Sequence, residues 1–118
     1  MTTTARGNAG EDRALAHLQA QGLRLVARNF RTPGRGGGEV DLILRERDGT
    51  LVFVEVRQRA SAAAGGAGAS ITALKQRRIV FAAQHFLLRL GSTPPCRFDA
   101  VLIEGDALRW LRGAFDAG

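Results

Sequence analysis
Between Gly36 and Arg59 the chain reads Gly-Gly-Gly-Glu-Val-Asp-Leu-Ile-Leu-Arg-Glu-Arg-Asp-Gly-Thr-Leu-Val-Phe-Val-Glu-Val-Arg-Gln-Arg, and no other stretch constrains the fold so strongly. Two runs rich in β-branched and aliphatic residues flank Asp48-Gly49, the pattern of a β-hairpin. Glu39, Asp41 and Glu55 stand inside those apolar runs, where an unpaired carboxylate is costly. Register decides whether they meet. A two-residue loop sends Asp41 and Glu55 to opposite faces, because side chains alternate along a strand. A three-residue loop, Arg47-Asp48-Gly49, with Gly49 in the left-handed position of a bulge, pairs Glu46 with Thr50. Asp41 then faces Glu55 and Glu39 faces Arg57. We prefer this register because it gathers Glu39, Asp41, Glu55, Arg57 and Arg59 on one face. The other face is left apolar, with Val40, Leu42, Leu44, Val52, Val54 and Val56.

Directly opposed carboxylates, with Cβ atoms about 5 Å apart, repel by roughly 3 kcal/mol at an effective dielectric of 20. Two arrangements offset this. A divalent cation between the acids converts repulsion into ligation, and hard oxygen ligands suit Mg²⁺ or Mn²⁺. Alternatively, Arg45, Arg57 or Arg59 neutralises the acids in a structural ion pair.

The remaining elements follow from periodicity. Met1 to Asn8 reads as a frayed tail. Ala9 to Gln21 carries Ala14, Leu15 and Leu18 at helical spacing, with Gly22 placed to end the helix. Glu11 falls in its first turn, where the helix dipole alone accounts for an acid. Leu23 to Phe30 alternates as a strand, Arg24 and Arg28 on one side, Leu23, Leu25 and Ala27 on the other. Thr32 to Gly38 is a glycine-rich, basic connection containing Arg35. Ala60 to Ala69, nearly all Ala, Gly and Ser, is expected to be a mobile loop. Ser70 is the expected cap of a long helix through Leu90, with Ile79, Ala82, Ala83, Phe86, Leu87 and Leu90 as its buried stripe. Its polar face carries Lys75, Gln76, Arg77 and Arg78, for which a solvated basic face is the default reading. Strands over Arg97–Ile103 and Ala107–Leu111 complete the chain, with Trp110 as a core or edge plug. The order predicts one α/β domain with a mixed sheet and packed helices.

The 118 residues bound the chain to a single domain. A formal charge of +6 points to a polyanionic partner, nucleic acid before a membrane surface. Base-composition bias explains why Lys75 is the only lysine beside so many arginines, but not the excess charge. Cys96 is the only cysteine, which excludes an internal disulfide and fits a reducing cytoplasm. No segment has the length and apolarity of a membrane span.

An Asp in a strand, then Glu-x-Lys on the next strand after a short turn, with an early helical Glu, is the PD-(D/E)xK nuclease signature, and this chain resembles it. It is identified as a member of the YraN-like family of uncharacterised bacterial proteins, related to archaeal Holliday-junction resolvases. The resemblance runs through Gly10-Glu11, Gly38-Glu39-Val40-Asp41-Leu42-Ile43, Phe53-Val54-Glu55-Val56, Lys75 and Arg97-Phe98-Asp99. It implies a restriction-endonuclease-like sheet flanked by helices and metal-assisted hydrolysis of nucleic acid. Asp41 and Glu55 are the implied ligands of Mg²⁺ or Mn²⁺, with the Val56 carbonyl as a further one and Glu11 approaching from the first helix. Where the family has Glu-Val-Lys, this chain has Glu55-Val56-Arg57; Arg stabilises charge but is a poor proton acceptor. Lys75 compensates in part if its helix passes the site. Arg35, Arg59, Arg77 and Arg78 are the expected contacts to nucleic acid, DNA before RNA, and a homodimer is carried along from the resolvase relatives. The rival readings are a binding module that lost efficient chemistry and a basic adaptor that docks a protein complex.

Overall fold
The computed structural model describes residues 9–59 and 71–117. Along the chain lie α1 (Ala9–Ala20), β1 (Arg24–Arg31), β2 (Glu39–Arg45), β3 (Leu51–Arg59), α2 (Ala73–Leu90), β4 (Cys96–Glu104) and β5 (Ala107–Phe115). This is the predicted order. The strands form one five-stranded sheet, β1-β2-β3-β4-β5. Only β3 and β4 run parallel, and α2 lies in the crossover that parallel neighbours require.

Both faces of the sheet are covered. Ala14 and Leu18 of α1 pack with Leu42, Leu44, Val52, Val54, Val101 and Ile103. Ile79, Ala82 and Ala83 of α2 pack with Val40, Ile43, Leu51, Phe53 and Phe98. The expected division into one apolar face and one chemical face therefore needs correcting. A central strand roofed by a helix on each side is apolar both ways. On the α2 side only the far ends of β2 and β3 are free to carry acids.

The hairpin has the three-residue register. Glu46 N–H donates to Thr50 O at 2.9 Å, Gly49 N–H donates to Glu46 O at 3.0 Å, and Gly49 sits at φ 95°. Leu44 pairs with Val52 and Leu42 with Val54, where the β2–β3 ladder stops. The expected stripe breaks at Asp41: Val40 joins the α2 cluster, whereas Leu42 joins the α1 cluster. Opposite Asp41 in the β1 register lies Asn29, at φ 51°, a left-handed conformation that disturbs alternation. Glu39 consequently lies against Arg31 and Arg78, not across from Arg57.

Other differences are local. A register shift between Leu25 and Ala27 leaves Leu25 and Val26 exposed, so β1 lacks the simple two-sided pattern. Thr72 caps α2, its hydroxyl accepting the Lys75 N–H at 3.1 Å. The expected cap Ser70, the expected loop Ala60–Ala69 and the expected tail Met1–Asn8 lie outside the described residues. Leu90, expected in the stripe, is 39% exposed. Strand β5 continues past Leu111 because fully buried Asp99 holds it: Trp110 Nε1 and Gly113 N–H each donate to its carboxylate at 2.9 Å. Among the described residues, no helix is long and apolar enough to cross a membrane.

Candidate active site
Asp41 and Glu55 are delivered to one place by the hairpin register, just beyond its last ladder pair. There the strands separate. Val56 N–H donates to Asp41 Oδ2 at 2.8 Å, so this carboxylate accepts a bond that a flat ladder would give to backbone. Glu55, almost fully buried, has Lys75 Nζ at 3.5 Å and Arg57 at 3.6 Å, both from Oε2. Lys75 comes from the first turn of α2, and only the packing of that helix on the sheet brings it here.

Burial and the charge of Asp41 push the Glu55 carboxyl up to about 7, against the pull of Lys75 and Arg57. Burial also raises Asp41, offset chiefly by the Val56 N–H. With both groups ionised no hydrogen lies between them, and Glu55 Oε1 is buried without a hydrogen-bond donor. Burial does most to favour the acidic form of Glu55, the charge of Asp41 comes next, and a hydrogen bond to Asp41 that only the protonated carboxyl can donate adds to both. Glu11, on α1, is raised by burial and then by Asp41; Arg28 lies 3.5 Å from it and opposes the shift.

The donor set fits a small hard cation. Two carboxylates converge, one with an orphaned buried oxygen, and the same electrostatics that raise Glu55 would be relieved by positive charge. Among the described residues no three His, Cys, Asp or Glu side chains form a ready-made cage. Water or substrate would complete the shell, as Mg²⁺ tolerates.

The expected site residues thus divide. Asp41, Glu55, Arg57 and Lys75 cluster; Val56 contributes its N–H to Asp41; and Glu11 stands on the α1 side within electrostatic reach of Asp41. Arg78 reaches Glu39 and the glycine loop, and Arg35 is exposed on that loop. Arg77 instead lines a separate hollow with Phe81, Gln84 and Asp116. Arg59 has a buried Nε with no acceptor among the described residues. Sequence reasoning missed Arg28 as the partner of Glu11 and Arg31 as a partner of Glu39. The polar side of β1 was legible, but not which acids it would meet.

A five-stranded mixed sheet with a helix on each face, and an acid pair at the parting of β2 and β3, defines an α/β protein consistent with the restriction-endonuclease-like fold. The sequence profile described as Uncharacterised protein family UPF0102 matches residues 10–103, and the chain belongs to that family. It is 78% identical to a UPF0102 protein of Paracidovorax citrulli over 99% of this chain and 87% of the relative. It is likewise 78% identical to one of Acidovorax sp., over 98% and 88%. It is 61% identical to one of Cupriavidus taiwanensis, over 96% and 84%.

Proposed function
We propose that this protein hydrolyses phosphodiester bonds in nucleic acid, DNA in preference to RNA, with a bound Mg²⁺ or Mn²⁺. The observation that carries this reading is the convergence of Asp41 and Glu55 with an amine, Lys75, brought 3.5 Å from Glu55 by a different element. Asp41 and Glu55 would hold the cation, with the Val56 carbonyl as a further oxygen; bound there, it supplies positive charge to the phosphate and eases deprotonation of water. Hydrolysis adds water across one P–O bond, so negative charge builds on the phosphoryl oxygens and then on the departing oxygen. Lys75 and Arg57 are the cations placed to offset it. Of the two, only Lys75 can readily exchange a proton; Arg57 stays charged and acts by field and hydrogen bonding. Lys75 therefore takes the part that the motif lysine plays in the family pattern, from the helix and not from β3.

One observation favours a second reading. Lys75 and Arg57 together neutralise Glu55 without any added ion, as a binding module that had lost its chemistry would need. Purified protein with Mg²⁺ or Mn²⁺ against branched, single-stranded and double-stranded DNA and RNA, with Asp41→Ala as control, separates the two. Cation-dependent cleavage lost in the variant supports the nuclease; binding without cleavage supports the module; neither leaves the protein-docking adaptor. A cytoplasmic location and a homodimer belong to the same proposal, the second tested by mass in solution.

A further inference from the structure
At the start of β2, two residues before Asp41, Glu39 borders a cavity of about 170 Å³ that is also lined by Arg31, Thr32, Gly34, Gly36, Gly37, Gly38 and Arg78. Its wall is built firmly. Thr32 N–H donates to Gly38 O at 3.0 Å, Gly38 N–H donates to Thr32 Oγ1 at 2.7 Å, and Arg78 Nε donates to Gly37 O at 3.3 Å. Gly38 lies so close to α2 that a Cβ there would come within 2.7 Å of Ala82 N. At the rim, Glu39 stands between two guanidinium groups, Arg31 at 3.6 Å and Arg78 at 3.9 Å. Both distances are too long for hydrogen bonds, and Arg31 is 74% and Arg78 44% exposed at the side chain. An anion is therefore bracketed but loosely held.

We propose that this cavity seats a non-scissile backbone phosphate of the bound strand, and that Glu39 occupies the phosphate's place between Arg31 and Arg78 in the free protein. The inference rests on the nucleic-acid reading above. A phosphate offers the two-oxygen edge of a carboxylate and makes bidentate contacts with arginine. Glu39 lies two residues before Asp41 on β2, or about 7 Å along a strand, comparable to one step between neighbouring phosphates. A strand threaded past Asp41 and Glu55 would thus present its next phosphate to this seat. Glycines at the wall keep side chains out of its path. Glu39 acts as a competitor: a phosphate that enters the seat must displace it from the two arginines, so it lowers the affinity of the free protein for a strand that contacts them.

The test is a thermodynamic cycle on binding of fluorescent single-stranded oligothymidylate and a duplex of equal length, measured by anisotropy without divalent cation. The proteins are wild type, Glu39→Gln, Arg31→Gln with Arg78→Gln, and the triple variant; all the changes are at solvent-reachable side chains, and melting curves verify folding. Glu39→Gln should tighten binding several-fold when both arginines are present and by much less when both are replaced. The double arginine variant should reduce the log–log salt slope by about 0.7 on the single strand, the loss of one phosphate contact. If Glu39→Gln tightens binding equally in both backgrounds, the effect is bulk charge and the seat is overturned while the nucleic-acid reading stands. If wild type binds no oligonucleotide, both are overturned.

Discussion

Asp41 and Val56 are joined across the parting of β2 and β3 by a 2.8 Å hydrogen bond from the Val56 N–H to the Asp41 carboxylate. The acid is therefore structural and electrostatic at once, and substitutions can separate the roles. Asp41→Asn keeps an acceptor for Val56 and removes the charge facing Glu55, whereas Asp41→Ala strands the N–H. Denaturant unfolding at pH 8 without divalent cations should place Asp41→Asn above Asp41→Ala by about 1–3 kcal/mol. Asp41→Asn should also exceed wild type, since the repulsion of two ionised acids is gone. Equal stability of the two variants would show that the hydrogen bond carries no weight.

Stability should fall as pH rises toward neutrality. Glu55 titrates near 7 in the fold but near its ordinary value of 4.5 when unfolded, so the native state binds the extra proton between those limits. The raised carboxyl favours the fold fully below pH 4.5, and that advantage is lost on passing through pH 7. Glu11 and Asp41 shift in the same direction. Melting temperature measured from pH 5 to 8 should decline for wild type, and Glu55→Gln should flatten the decline. A profile unchanged by Glu55→Gln would contradict the assignment.

Divalent cations should reverse that trend. Ligation requires ionised carboxylates, so Mn²⁺ should raise the melting temperature more at pH 8 than at pH 6. At one hundred times the dissociation constant the gain is about 2.7 kcal/mol. It should vanish in the Asp41→Asn, Glu55→Gln double variant; an undiminished shift would locate the cation elsewhere.

Lys75 and Arg57 approach the same oxygen of Glu55, yet they should not be equivalent. In single-turnover cleavage with saturating Mn²⁺, Lys75→Met should lower the rate by about 10²–10⁴, the range for loss of a proton-transfer group. Arg57→Lys should retain or raise the rate, because a second amine then faces the same carboxylate. Cleavage that survives Lys75→Met but is lost in Arg57→Lys would transfer the central role to the arginine.

Asp99 should matter for folding and not for chemistry. It is fully buried and accepts from Arg97, Trp110 and Gly113. Asp99→Ala strands the Trp110 and Gly113 donors and leaves Arg97 with Glu46 alone, and should cost about 2–5 kcal/mol, about 1–3 for each stranded donor. Trp110 is the only tryptophan, so its fluorescence reports the release of β5 directly. Asp99→Asn, which keeps acceptor capacity, should lose less.

The sequence by itself determined the elements, their order and the hairpin register. Those depend on alternation, on the left-handed turn that Gly49 permits and on the need to bring two strand acids together, all of them local. Asp41 and Glu55 were legible because buried acids in apolar strands are costly and therefore stand out. Tertiary structure decided what surrounds them. Nothing local distinguishes Lys75 from Arg77 on the polar side of α2; the packing of Ile79, Ala82 and Ala83 on the sheet turns one toward Glu55 and the other toward a separate hollow. The break at Asp41 likewise arises between strands, where Asn29 meets β2, and it redirects Glu39 from Arg57 to Arg31 and Arg78. Periodicity assigns a side chain to a face; only the partner packed on that face determines which charge it meets.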